Sequence, residues 1–149
     1  MKYPQPNICP VPGTRKYLLL DDYKITVGGV DTCVPALFEF DGASIPWYGW
    51  HATYTPFHPI VILPSLIHDW HFYNHQVNLQ TANDIFYNLL LQNEANEIKA
   101  RIMYRAVQIG GPSRWEIGEK EKQYLKELHV LVKFRPNYDQ YCFPELKAS

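Results

Sequence analysis

Tyr23-Lys24-Ile25-Thr26-Val27-Gly28-Gly29-Val30 carries an apolar side chain at every second position and then a glycine pair. Successive strand side chains point to opposite faces, so Tyr23, Ile25 and Val27 share one buried face while Lys24 and Thr26 look outward. Gly28-Gly29 suits a two-residue hairpin turn, where positive φ angles are required. On either side, Tyr17 to Leu20 and Val30 to Phe40 are rich in β-branched and aromatic residues, which predicts a small antiparallel sheet within a β region at 15–46. Before it, residues 1–14 carry four prolines without periodicity and read as an extended arm.

From Leu63 the period becomes helical. Pro64 and Ser65 are start signals for a helix through His75, and Asn78 or Thr81 can cap a second reaching about Asn93. A third runs from about Glu94 to Ile109, where Gly110-Gly111-Pro112 is expected to end it. A fourth is expected from Ser113 or Glu116 to about Phe134, within a helical region at 63–134, followed by an irregular tail at 136–149. The prediction is an α+β chain: a small N-terminal antiparallel sheet, a helical hairpin and two further helices, in a single domain spanning 1–149.

Composition narrows the function. With 149 residues, 46% hydrophobic, the chain can bury one real core, and a formal net charge of −1 argues against non-specific nucleic-acid binding. No apolar run has the length of a signal peptide or a membrane span, so a soluble protein is expected. Cys9, Cys33 and Cys142 are widely spaced and odd in number, which suits free thiols of a reducing compartment. The 4 Trp, 11 Tyr and 7 Phe fit either an aromatic core or a surface that binds sugar rings or another protein.

Ionisable residues set in apolar sequence mark the candidate site, because burying them demands a partner or a task. His68 and Asp69 are adjacent and therefore point about 100° apart on a helix, so each needs its own partner. Asp84 lies about as far beyond the connection at 75–79 as His68 lies before it, which brings the two level in an antiparallel hairpin. A carboxylate bonded to one imidazole nitrogen would raise the basicity of the other, as a general base or metal ligand requires. The plainer alternative is a capping role for Asp84 with Thr81, and a satisfied core histidine at 68. Asp41-Gly42-Ala43-Ser44-Ile45-Pro46 offers two side-chain oxygens and a close-approaching backbone, although Asp-Gly is also an ordinary turn. His71 and His75 share a helix face with His68, but the stripe is too long for one ion, and both read as surface residues.

The combination Phe40-Asp41-Gly42-Ala43-Ser44-Ile45-Pro46, His68-Asp69 and Ala82-x-Asp84 resembles a small family of unknown function that is widespread in bacteriophage and prophage genomes. The resemblance runs from about Tyr17 to Trp115. It implicates Asp41, Gly42, Ser44, Pro46, His68, Asp69 and Asp84 as a shared cluster, with Trp70, His71 and Phe72 departing from the aromatic-Leu-Tyr that usually follows the His-Asp pair. A His-Asp pair on a helix with an Asp on its antiparallel neighbour is also similar, over a few residues, to secreted phospholipase A2.

The expectation drawn from these readings is a phage-derived hydrolase acting on a bacterial cell-envelope substrate. In it His68, Asp84 and Asp69 are catalytic, and Asp41, Asp69 and His68 bind one divalent calcium or zinc ion, supported by Gly42, Ser44 and Pro46. The alternative is a non-enzymatic virion or host-interaction protein, whose partners are other phage proteins and whose cluster is a structural network. Either would reside in the host cytoplasm or be carried in the virion. Three acids against one histidine repel one another unless a cation or a buried Arg joins them, and Arg101 or Arg105 is the expected candidate.

Overall fold

The computed structural model describes residues 2–42 and 52–127, with side chains as far as residue 116. Five short strands precede three helices: β1 (Ile8–Pro10), β2 (Tyr17–Leu19), β3 (Tyr23–Val27), β4 (Val30–Val34), β5 (Glu39–Phe40), α1 (Pro59–Asn74), α2 (Leu79–Gln92) and α3 (Glu97–Glu127). The α+β class is as expected. The strands form two small antiparallel sheets, the hairpin β3-β4 and a three-stranded sheet in the order β1-β2-β5.

In the hairpin, Tyr23 faces Val34 and Val27 faces Val30 across a turn at Gly28 and Gly29, with φ of 59° and 79°. Tyr23, Ile25 and Val27 are buried and Lys24 and Thr26 exposed, as the alternation requires. The expected continuous strand from Val30 to Phe40 does not form. Pro35 has no N–H, Leu37 turns to φ 68°, and the chain moves from one sheet to the other. Leu37 N–H then donates to the Leu19 carbonyl, and Leu19 N–H donates to the Phe38 carbonyl.

Within the N-terminal arm, Ile8–Pro10 pairs with β2 as an edge strand, a position where a proline costs no ladder bond. The Tyr23 hydroxyl ties the arm further by donating to the Pro4 carbonyl at 2.6 Å, and Tyr3 donates to the Thr26 carbonyl at 3.0 Å.

Helix α1 starts one turn before the expected Leu63. His58 caps it, its Nδ1 accepting from Ile60 N–H at 3.3 Å, and Pro59 occupies the first turn, where its missing N–H is harmless. Pro64 therefore lies inside the helix, unable to donate to the Ile60 carbonyl four residues back. That carbonyl accepts instead from Asn93 Nδ2 at 3.1 Å, which satisfies the bond that proline leaves open. Helix α2 begins as expected at Asn78, whose Oδ1 accepts from Thr81 N–H.

Helix α3 runs unbroken through Gly110-Gly111-Pro112, so the two expected helices are one of 31 residues. Tertiary contact overrides the local stop signal here. A Cβ on Gly111 would stand 3.4 Å from both Leu79 and Phe72, and Trp115 packs on Phe72 and His75 at ring distances of 5.0 and 4.1 Å. These contacts offset an interior proline's cost of about 3 kcal/mol.

The core has two parts that meet on α1. Leu19, Tyr23, Ile25, Val34 and Phe40 from the strands pack with Leu63, Leu66, Ile67 and Trp70, while Val61 joins Phe86, Leu90, Ala100 and Met103 among the helices. Helix α1 is thus enclosed by strands on one side and by α2 and α3 on the other. An enclosed helix carries polar residues inward as well as apolar ones, and this is what positions the candidate site.

Candidate functional site

His68 faces α2. Its Nε2–H donates to the side-chain Oδ1 of Asn83 at 2.9 Å, and its ring packs against Phe72 and Phe86 at 4.5 and 5.0 Å. Burial pushes its pKa down to about 4, with the Asn83 bond opposing and the Arg114 charge adding to the fall. The ring is therefore neutral at pH 7.

Asp84 does not meet His68. The hairpin brings the right level of α2 opposite His68, but Asn83 takes the inner position, and the next residue is turned about 100° away. Asp84 faces α3 instead, accepting from the Tyr104 hydroxyl at 2.6 Å and from Gln80 Nε2 at 2.9 Å. The expected dyad, and with it the arrangement likened to phospholipase A2, is not formed. Nor does Asp84 cap Thr81, whose N–H is taken by Asn78.

His71, expected at the surface, is fully buried, because β4 covers that side of α1. Its Nε2 stands 3.4 Å from the Thr32 hydroxyl, and burial, followed by the His68 charge, lowers its pKa to about 4. His75 is half-buried against Trp115.

Asp69 leaves α1 toward the end of β5, where Asp41 follows Phe40. The Asp69 carboxyl interacts with both the carboxyl and the backbone N–H of Asp41. Its pKa is raised well above the usual carboxylate value, first by burial and then by the Asp41 charge, with Arg114 opposing. Burial and the neighbouring Asp41 carboxyl thus both favour the neutral form of Asp69.

The guanidinium of Arg114 lies 4.0 Å from Asp41 Oδ2, with 57% of the Arg114 side chain and 38% of the Asp41 side chain exposed. This end of the cluster is open while the His68 end is sealed. The arginine is neither of the two expected, since Arg101 pairs with Glu97 on the surface; only an unbroken α3 carries Arg114 here. Gly42 fixes the exit from Asp41, with φ 71° and a Cβ position only 2.9 Å from the Pro56 carbonyl oxygen. Ser44 and Pro46 lie outside the described residues.

Among the described residues no group of three or more His, Cys, Asp or Glu is arranged to hold a metal ion. Asn83 and Arg114 were missed from sequence. Asn83 was hidden by its more conspicuous neighbour Asp84, and Arg114 by the apparent helix stop before it.

Comparison with known proteins adds a family. A family model described as "Protein of unknown function (DUF1353)" matches residues 18–107, more than half of the chain. The chain is 29% identical over 107 residues to "Uncharacterized protein y4iH" of Sinorhizobium fredii (strain NBRC 101917 / NGR234). The match covers 70% of this chain and 44% of the relative, so the chain spans less than half of that protein's length. No solved structure matches.

Proposed function

The chain belongs to the DUF1353 family of unknown function, and from its own residues we propose a phage-derived hydrolase that cleaves acyl bonds of the bacterial cell envelope with Asp41 and Asp69. The carrying observation is the carboxyl pair: Asp69 engages Asp41 and is pushed toward its neutral form by burial, while Asp41 is part-exposed beside Arg114. Two adjoining carboxyls in unlike surroundings, one favoured in its neutral form and the other open to water beside a guanidinium, provide an acid and a base in one site. His68 is neutral, sealed and without a carboxylate partner, and is a structural residue in this reading.

The chemistry balances on these groups. Asp41 takes a proton from water as the water oxygen bonds to the acyl carbon, and Asp69 gives its proton to the carbonyl oxygen. The tetrahedral adduct then loses its leaving group, which receives the proton held by Asp41, while a hydroxyl of the adduct returns a proton to Asp69. Arg114 supplies positive charge beside the developing negative charge. Because a guanidinium already faces Asp41, we assign the counter-charge to Arg114 rather than to calcium or zinc.

Amide bonds of peptidoglycan and ester bonds of phospholipid share this chemistry, and purified peptidoglycan and phospholipid vesicles are the two arms of the test. Wild type should release product from one of them. Asp41→Asn and Asp69→Asn should each lower the rate by at least about 100-fold, the lower range for removing a general acid or base. A wild type inert on both substrates would overturn the hydrolase. The second reading, a virion or host-interaction protein acting in the host cytoplasm or virion with other phage proteins as partners, is favoured by the sealed His68-Asn83 pair, which has the character of a packing device.

A further inference from the structure

Ser65 precedes Asp69 by one helical turn, so the two side chains are neighbours on one face of α1, with about 5–6 Å between their Cβ atoms. The Ser65 side chain is 2% exposed, and its Oγ is buried with no hydrogen-bond partner among the described residues. A helical serine commonly donates back to the carbonyl four residues earlier, here Val61, and this one does not. Asp69 Oδ2 is likewise buried without a partner, although the same carboxyl group engages Asp41. Two buried polar atoms on one helix face, each unsatisfied, are costly to folding if nothing meets them.

We propose that Ser65 Oγ and Asp69 Oδ2 jointly bind one water molecule beside Asp41, and that this is the water consumed in the reaction. The placement suits it: side chains one turn apart on a helix face are close enough for one water to hydrogen-bond to both. Asp41 provides the third polar partner that buried waters typically have. The water needs a hydroxyl that either donates or accepts, and serine offers both. In the step given above, the oxygen of this water bonds to the acyl carbon and its proton passes to Asp41. Ser65 acts through the water and is a positioning residue. The functional half of the inference rests on the hydrolase reading; the binding half does not.

A high-resolution crystal structure of the full chain separates the two. An ordered water within about 3.2 Å of both Ser65 Oγ and Asp69 Oδ2 is expected. Finding Ser65 Oγ bonded to the Val61 carbonyl, with no water between it and Asp69, would overturn the proposal whatever the activity. On whichever envelope substrate wild type cleaves, Ser65→Ala should lower kcat about 10- to 100-fold with KM within twofold, and Ser65→Thr should recover most of that loss. An unchanged kcat in Ser65→Ala would overturn the role of the water in the reaction. If wild type is inert on peptidoglycan and vesicles while the water is present, the hydrolase fails and the water site stands.

Discussion

His68 and Asp69 are neighbours in sequence and opposites in electrostatics. Burial disfavours the charged form of each, lowering the pKa of His68 and His71 and raising that of Asp69, and the two effects give stability opposite dependences on pH. Each histidine has its folded pKa, about 4, below its ordinary 6.5. Their contribution is therefore complete above pH 6.5 and is lost as pH falls from 6.5 toward 4. Asp69 is raised, so its contribution is complete below its ordinary pKa of 3.8 and is lost as pH rises through the folded value. Urea unfolding across pH should show an acid-side decline that steepens below pH 6.5. Asp69→Asn, which keeps the shape of the neutral acid, should gain stability relative to wild type as pH rises from 5 to 8. A constant difference over that range would mean that Asp69 is already ionised. Asn83→Ala should cost about 1–3 kcal/mol at neutral pH, because it leaves the His68 N–H without its acceptor.

At the scale of elements, what the sequence showed depended on how local the cause was. The β3-β4 hairpin was legible because alternation and a glycine pair specify it within eight residues. The Asn78 cap was legible for the same reason. Helix α1 was read to start too late because Pro64 looks like a beginning until Asn93, 29 residues on, takes over the Ile60 carbonyl. The Gly110-Gly111-Pro112 stop was overridden by Phe72, Leu79 and Trp115, contacts that exist only once the helices pack. Asn93→Ala should therefore destabilise by about 1–3 kcal/mol, far more than an exposed Asn would, as thermal or urea unfolding will read. Gly42→Ala should also be destabilising, since it forces a side chain to φ 71° and against the Pro56 carbonyl. It should reduce the proposed hydrolysis by more than the lost stability explains, because Asp41 is the residue it displaces.

For the whole molecule, the cluster was legible in its members but not in its grouping. Asp41 and Asp69 do come together, Asp84 leaves, and a distant arginine arrives, because which face a residue occupies depends on helix rotation that spacing alone leaves open by a residue. The neutralising arginine predicts equal melting temperatures in chelator, calcium and zinc, and a rise of several degrees with either ion would restore a metal to the site. Among the described residues no helix is long and apolar enough to cross a membrane.

The central position of α1 has a kinetic corollary. Among the described residues the two sheets share no ladder, and strands of both pack on α1, so much of their burial waits on that helix. The order of folding follows from this. Ile67→Val in α1 should slow refolding, with a φ-value well above one half, whereas Ile8→Val in the edge strand β1 should mainly speed unfolding. Stopped-flow chevrons of the two variants would show the asymmetry: the chain condenses from its middle outward, and its N-terminal strand is the last piece laid down and the first to peel away.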